Sequence, residues 1–213
     1  MNKNILRIAG LVVAFFLLNI AYLTYLQVFK ADELLNHPRN RRLQAIEEQV
    51  NRGRILDSKG RVLAETITEN GYKKRSYPYG DVFSHLTGYV SKRYGRAGLE
   101  AGFNGVLLGF NKDFAGNDFW SLKKFGRLDR GSDIVLSIDS SVQQLAYRLL
   151  GQRRGAVVAL EPSTGRVLAM VSKPGFNPEN LELQWQNLNR NPESSLLNRA
   201  TQGLYPPGST FKV

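Results

Sequence analysis

The 213-residue chain contains no cysteine. That excludes a disulfide framework, a thiolate metal site, an iron–sulfur cluster and a cysteine nucleophile. Histidine is nearly as scarce, at two residues, His37 and His85. Two imidazoles so far apart are too few for a histidine-rich metal site, and neither a metal nor any other cofactor is expected. Acidic residues are also sparse: 18 Asp and Glu stand against 29 Lys and Arg, a net charge of +11. The excess is not concentrated. Residues 1–29, 30–75, 76–130 and 131–213 carry +2, +4, +3 and +2, whereas a nucleic-acid binder gathers its charge on one face or tail. No nucleic-acid partner is therefore expected. An anionic membrane or cell-wall polymer fits the spread charge. A hydrophobic fraction of 42% with 22% charged residues is ordinary for a folded chain and argues against disorder.

What the amino-terminal stretch does have is one long apolar run. Ile8 to Leu26 reads IAGLVVAFFLLNIAYLTYL, 19 residues without a charge, with Asn19 and Thr24 as its clearly polar members. About 20 apolar residues in a helix span the hydrocarbon core of a bilayer. A signal peptide has a shorter apolar core, about 7–15 residues, followed by a small-x-small cleavage site. After Leu26 the chain continues QVFKADELL and offers no such site. A retained transmembrane anchor is expected over 8–29, behind a short tail, 1–7. Lys3 and Arg7 precede it, and Lys30, Arg39, Arg41 and Arg42 follow it, so charge alone leaves its orientation open. Asn19, near the middle of the span, either bonds its amide to its own helix backbone or faces another helix.

Beyond the anchor, residues 30–51 are polar and read as a membrane-proximal stem. From Arg52 the text is RGRILDSKGRVLAET. Ile55, Leu56, Val62 and Leu63 flank Asp57-Ser58-Lys59-Gly60, a tight turn, so a β-hairpin is expected. In 77–108, Gly and Pro punctuate short elements, and Leu99, Phe103, Val106 and Leu107 have helical spacing. Residues 109–131 look like loop and linker. A second unit starts near Ser132. Ile134, Val135, Leu136 and Ile138 suggest a short buried strand. Asp139 and Ser140 can cap a following helix with Val142, Leu145, Ala146 and Leu149 on its inner face. GAVVALEPSTGRVLAMVS, 155–172, reads as a hairpin turning at Glu161–Gly165, and a helix is expected at 179–188.

The chemistry-bearing candidate is Ser209-Thr210-Phe211-Lys212, an S-x-x-K tetrad. On a helix, positions i and i+3 share one face. A neutral Lys there takes the Ser proton and creates a nucleophile for acyl transfer. Pro206, Pro207 and Gly208 suit the turn before a helix, which would put Ser209 at the positive end of the helix dipole. The tetrad alone is weak evidence. Ser121-Leu122-Lys123-Lys124 is a second match, and Ser209 also suits a plain helix cap and Lys212 a solvated surface position.

Five segments change that weighing: RGRILDSKGRVLAE (52–65), GLEAGFNGVLLG (98–109), GSDIVLSID with Gln143 and Gln144 after it, GAVVALEPSTGRVLAMVSKPGFNP (155–178) and NRATQGLYPPGSTFK (198–212). In this order they resemble the class B penicillin-binding proteins, the membrane-anchored D,D-transpeptidases that cross-link peptidoglycan, and most of all their penicillin-binding protein A branch. The resemblance implies an α+β chain with a single amino-terminal transmembrane helix. Its amino terminus would be cytoplasmic and its bulk extracytoplasmic, at the cell membrane. A pedestal, or dimerisation, domain rich in β hairpins would occupy 30–131 with the stem. The start of a penicillin-binding, serine β-lactamase-like α/β domain would occupy 132–213.

The same resemblance implies roles. Ser209 matches the nucleophile acylated by the D-Ala-D-Ala end of a peptidoglycan stem peptide or by a β-lactam, and Lys212 the general base on the same helix. The backbone N–H of Ser209 would be one oxyanion-hole donor. The implied partner is a polytopic glycan polymerase of the shape, elongation, division and sporulation family. Arg52, Gly53 and Asp57 match the pedestal motif and read as structural. The family usually has Arg after that Asp, where this chain has Ser58, so a local ion pair is expected to be missing. Asn198 and Arg199 match a motif leading to the active-site helix and read as positioning residues. The family's S-x-N and K-[ST]-G motifs, which lie downstream of the nucleophile, are not among these residues. The chain is thus expected to be an amino-terminal part of a transpeptidase, inactive by itself. The competing readings are a complete, non-catalytic anchored protein and a serine β-lactamase or β-lactam sensor. The last predicts no pedestal segments, yet 52–65 and 98–109 are present.

Overall fold

The computed structural model describes residues 3–30, 50–69, 71–109, 130–206 and 208–212. The chain divides into two compact units, 1–44 and 45–213. Most of the expected stem, the linker at 110–129 and the tetrad at Ser121 lie outside the described residues.

In the first unit, α1 runs Lys3–Phe29, 27 residues. At 1.5 Å per residue that is a rod of about 40 Å, long and apolar enough to cross a membrane. None of its residues is buried within the protein. Its polar members are satisfied inside the helix. The Asn19 amide donates to the Phe15 carbonyl at 2.9 Å, and the Thr24 hydroxyl to the Ile20 carbonyl at 2.8 Å.

The second unit begins with β1 (Ile55–Leu56), β2 (Val62–Glu69) and β3 (Tyr72–Ser76). With β6 (Ile134–Val135) they form a four-stranded sheet in the order β3-β2-β1-β6. The expected hairpin is β1 antiparallel to β2. Its turn follows from Asp57 and Gly60. One Asp57 oxygen accepts the backbone N–H groups of Lys59 and Arg61, each at 2.8 Å, and Gly60 takes φ 79°, which costs glycine little. The strand expected at 134–138 is two residues long, and Val135 is exposed. Ser137 leaves the ladder to donate to the Val167 carbonyl at 2.7 Å, while Ile138 turns into the core. Ile134 pairs in parallel with Ile55, so the sheet that starts in the pedestal residues is finished beyond residue 131.

Between β3 and β6 lie a 3₁₀ turn (Gly80–Phe83), α2 (Ser84–Thr87), β4 (Val90–Ser91), β5 (Gly95–Arg96), α3 (Gly98–Gly102) and α4 (Asn104–Leu107). The helical spacing of Leu99, Phe103 and Leu107 is therefore shared by two short helices that break at Phe103, where ψ is 22°. Ile55, Leu63, Ala64, Tyr77, Phe83, Leu86, Leu107 and Ile138 form the main core. Each fully buried Leu, Ile or Phe there contributes roughly 1.5–3 kcal/mol.

Helix α5 (Ser140–Leu149) is capped as expected, with the Asp139 side chain accepting the Ser141 N–H at 2.8 Å. Its facing is not the expected one. Ser140 and Gln143 are buried, whereas Val142, Leu145 and Leu149 are exposed. The amide of Gln143 decides this. It donates to the Val82 and Met170 carbonyls at 3.1 and 2.9 Å and accepts the Met170 N–H at 2.7 Å. Strands β7 (Gly155–Leu160) and β8 (Val167–Lys173) make the second expected hairpin. Both its outer edges are unpaired among the described residues, and Val158 and Leu160 are exposed. A 3₁₀ turn at Pro178–Asn180 leads into α6 (Leu181–Arg190), where a helix was expected. Tyr89, Phe176 and Leu181 form a second, smaller core. The chain then passes α7 (Arg199–Gln202) and a 3₁₀ turn at Gly208–Phe211. The architecture is mixed α+β.

Candidate active site

Ser209 lies in the 3₁₀ turn at Gly208–Phe211 and Lys212 follows it, its N–H donating to the Ser209 carbonyl at 3.2 Å. An α-helix was expected to start here. The turn is 3₁₀, with an i→i+3 bond from Lys212 to Ser209. In such a turn, three residues per turn bring positions i and i+3 to the same side. Both side chains are exposed.

The chain reaches this turn from α7, whose start is held on three sides. The Asn198 side-chain oxygen accepts the Ala200 N–H at 3.1 Å and caps the helix, while its amide donates to the His85 carbonyl at 3.1 Å. The Arg199 N–H donates to the Ser172 hydroxyl of β8 at 2.9 Å. The Arg199 guanidinium, buried, donates to the Ser194 carbonyl at 3.1 Å and to the Glu193 carbonyl. Ser194 takes φ 49° there. His85 sits 2.9 Å from the Pro174 carbonyl through Nε2. A carbonyl only accepts, so Nε2 carries the proton. Burial holds the His85 pKa below its ordinary value, against the Pro174 hydrogen bond and with help from the Arg199 charge.

The pedestal motif is a buried polar joint. Arg52 Nε lies 2.5 Å from one Glu100 oxygen, and Arg75 Nε 2.7 Å from the other. Arg52 also donates to the Asn104 side chain at 2.6 Å and the Glu100 carbonyl at 2.7 Å. The Tyr77 hydroxyl completes the group at 3.4 Å from Glu100. Burial, then the Glu100 charge, pushes the Tyr77 phenol well up. A Cβ on Gly53 would fall 1.9 Å from the Ser132 carbonyl oxygen, so only glycine fits. Asp57 is fully buried. Its second oxygen accepts the Ser140 hydroxyl at 2.6 Å and the Ser140 N–H at 3.3 Å, tying the hairpin turn to α5. Burial raises its pKa, but the bonds from Ser140, Arg61 and Lys59 outweigh it and the net shift is downward. Ser58 brings no charge. The turn's ion pair comes from its neighbour Lys59, 2.8 Å from Asp139, whose pKa falls to about 2 chiefly through the Lys59 bond and the Ser141 N–H.

Glu100, Asn104 and Arg75 were not singled out from the sequence, and Gln143 was named there without a role. The available signal was a carboxylate and an amide at i and i+4 inside the apolar text GLEAGFNGVLLG. Among the described residues, no group of three or more His, Asp or Glu side chains is placed to hold a metal ion.

Residues 52–134 match the penicillin binding protein A dimerisation domain and 155–213 the penicillin binding protein transpeptidase domain. The peptidoglycan D,D-transpeptidase PbpA of Mycolicibacterium smegmatis is 38% identical over 231 residues, covering 100% of this chain and 46% of that protein. The peptidoglycan D,D-transpeptidase MrdA of Escherichia coli is 36% identical over 183 residues, covering 68% of this chain and 28% of that protein. Penicillin-binding protein A from M. tuberculosis, solved as an imipenem acyl-enzyme complex, superposes with a TM-score of 0.68 at 37% identity, over 77% of this chain and 41% of that one. The chain thus spans about half the length of PbpA and less of MrdA. Two domain matches in the family's order flank α5 on a shared fold, and the chain belongs to the class B penicillin-binding proteins.

Proposed function

We propose that the protein is a membrane-anchored, serine-type peptidoglycan D,D-transpeptidase. The observation that carries this is the turn that holds Ser209 and Lys212 three positions apart, closed by the Lys212 N–H on the Ser209 carbonyl. The Lys212 amine, as its neutral form, takes the Ser209 proton. The Ser209 oxygen then attacks the carbonyl of the penultimate D-Ala of a stem peptide. The Ser209 backbone N–H steadies the resulting oxyanion. The C–N bond to the terminal D-Ala breaks, that D-Ala leaves as an amine with the proton, and an ester to Ser209 remains. An amine of a neighbouring stem attacks the ester, which completes the cross-link and frees the serine. A β-lactam acylates the same oxygen as its ring C–N bond opens.

In this reading 8–29 anchors the protein with 1–7 in the cytoplasm. Residues 30–131 form the stem and pedestal, and 132–213 open the penicillin-binding domain outside the membrane. The exposed apolar side chains of α5 and β7 are where further strands of that domain pack. A polytopic glycan polymerase is the membrane partner.

Labelling of the full-length protein by a fluorescent penicillin tests the reading. Ser209→Ala abolishes the label and Lys212→Ala slows it by orders of magnitude, while Ser121→Ala changes nothing. An essential Ser121 with a dispensable Ser209 overturns it. The 213 residues by themselves stay unlabelled, because groups that act as a unit leave little rate when some are missing.

A further inference from the structure

We propose that His85 makes the joint between the pedestal and the penicillin-binding residues sensitive to acid: its ring is locked in place as a neutral base beside a buried arginine, and a proton on that ring loosens the joint. The inference holds whatever chemistry Ser209 performs.

The joint is built around α2. Two neighbouring residues of this helix make three bonds across it. The His85 ring donates from Nε2 to the Pro174 carbonyl at 2.9 Å, 89 positions away. The His85 carbonyl accepts the Asn198 amide at 3.1 Å, 113 positions away. The Ser84 hydroxyl accepts the Phe176 N–H at 3.4 Å, 92 positions away. Phe176 also packs edge-on to the His85 ring, with 5.3 Å between centroids at 87°. The buried imidazole is therefore both a donor and a packing wall for the segment that follows β8.

The charges around the ring decide what a proton does there. Helix α2 packs against the 3₁₀ turn at 80–83, α3 and β8, and meets α7 through Asn198. The Asp81 carboxylate of the turn is engaged by the Tyr147 hydroxyl at 2.6 Å. Glu100 of α3 is held between Arg52 and Arg75. Lys173 of β8 turns its Nζ to the Gly151 carbonyl at 2.6 Å. Burial keeps the Tyr89 and Tyr147 phenols neutral. The charge that acts on the ring is Arg199 of α7, a cation. Arg199 is itself buried, and its guanidinium bonds the main-chain carbonyls of Ser194 and Glu193. Among the described residues no carboxylate bonds either side chain. A proton on His85 thus places a second buried cation beside the first without a counter-ion, which is costly. The bond to Pro174 does not oppose this, because Nε2 carries its hydrogen in both states.

The sign follows. The folded-state pKa of His85 lies below its ordinary 6.5. Between those two values the opened form binds more protons than the closed one, so opening becomes easier as pH falls. The effect begins below about pH 6.5 and levels off beneath the folded value. Asp57, whose ordinary pKa is 3.8, responds only in stronger acid.

Hydrogen exchange of the full-length protein in detergent tests this, read as protection relative to the intrinsic rate at each pH. The peptides to follow cover residues 83–88 and 174–177. Their protection is expected to fall several-fold from about pH 7 to about pH 5, and by no more than about tenfold per pH unit, the limit for one proton. His85→Gln keeps a nitrogen donor for Pro174 and takes no proton, so its protection is expected to stay level. Protection that stays level in the wild type, or falls equally in His85→Gln, overturns the inference. Where His85→Gln does not fold, the ring's own titration decides, followed by NMR in His37→Gln, which leaves His85 as the single histidine. A midpoint below 6.5 supports the proposal, and one at or above 6.5 overturns it.

Discussion

Glu100→Gln removes one negative charge from a fully buried polar group of the pedestal. The Glu100 side chain has no exposure, and those of Arg52 and Arg75 have 7% each. Each carboxylate oxygen serves one guanidinium, at 2.5 and 2.7 Å. The amide keeps the shape but has only one accepting oxygen. Its NH₂ group then points at a guanidinium N–H, donor against donor. Two buried cations lose their shared counter-ion at the same time. Breaking a buried pair from one side costs about 3–5 kcal/mol, a large part of the 5–15 kcal/mol that separates a typical folded domain from its unfolded chain. For a unit of this size that is a fall of roughly 6–20 °C in Tm. Urea unfolding of the full-length protein in detergent, followed through Trp185 stacked 4.0 Å from Tyr94, reads the change directly. Glu69→Gln is the control. Its partner Lys74 is 4.0 Å away and both side chains are at least half exposed, so the midpoint stays put. Replacing Arg52, Arg75 and Glu100 together by Met, Leu and Leu should recover much of the loss, because no charge is then stranded. A cost below about 1 kcal/mol for Glu100→Gln would refute the electrostatic account of this joint.

Asp57 has a folded-state pKa below its ordinary 3.8, so its contribution is complete above that value and is lost as pH falls through the lower, folded one. The stability gap between wild type and Asp57→Asn is therefore widest above about pH 4 and closes in stronger acid, as urea midpoints across that range will show. Asn19→Leu is expected to leave co-purification of the full-length protein with the polymerase proposed as its partner unchanged at matched expression, since the amide is already satisfied by Phe15. A several-fold loss of recovery would assign Asn19 to an interhelical contact instead.

The legible features were the local ones. The turn at Asp57-Ser58-Lys59-Gly60, the cap at Asp139, and the apolar run of α1 each depend on neighbours within a few residues. Their physics is written in consecutive letters. The turn at Ser209 is local in the same way, although it is 3₁₀ where an α-helix was expected. Helix α5 misled because counting Val142, Leu145 and Leu149 puts the apolar stripe inward. The three bonds of one amide, Gln143, outweigh that preference, and its partners Val82 and Met170 are 61 and 27 positions away. The joint around Glu100 was hidden for a related reason. Arg52, Arg75, Tyr77, Glu100 and Asn104 come from five separate elements or loops.

The parallel pairing of β1 with β6 has a consequence for the order of events during synthesis. Arg54 must wait for Asp133, 79 positions later, before the inner strand of the sheet has its second neighbour. Closing a loop of that length costs about 4 kcal/mol of chain entropy. At the usual pace of translation, about 5–20 residues per second, the interval lasts roughly 4–16 s. Throughout it β1 has one free edge, and Asp57 lacks Ser140, the partner that later seats it. The nascent pedestal is thus a hairpin with a sticky side, exposed for seconds to any chaperone or neighbouring chain. It matures only when α5 has emerged. Completion of the pedestal is in this way timed by the arrival of residues 130–143.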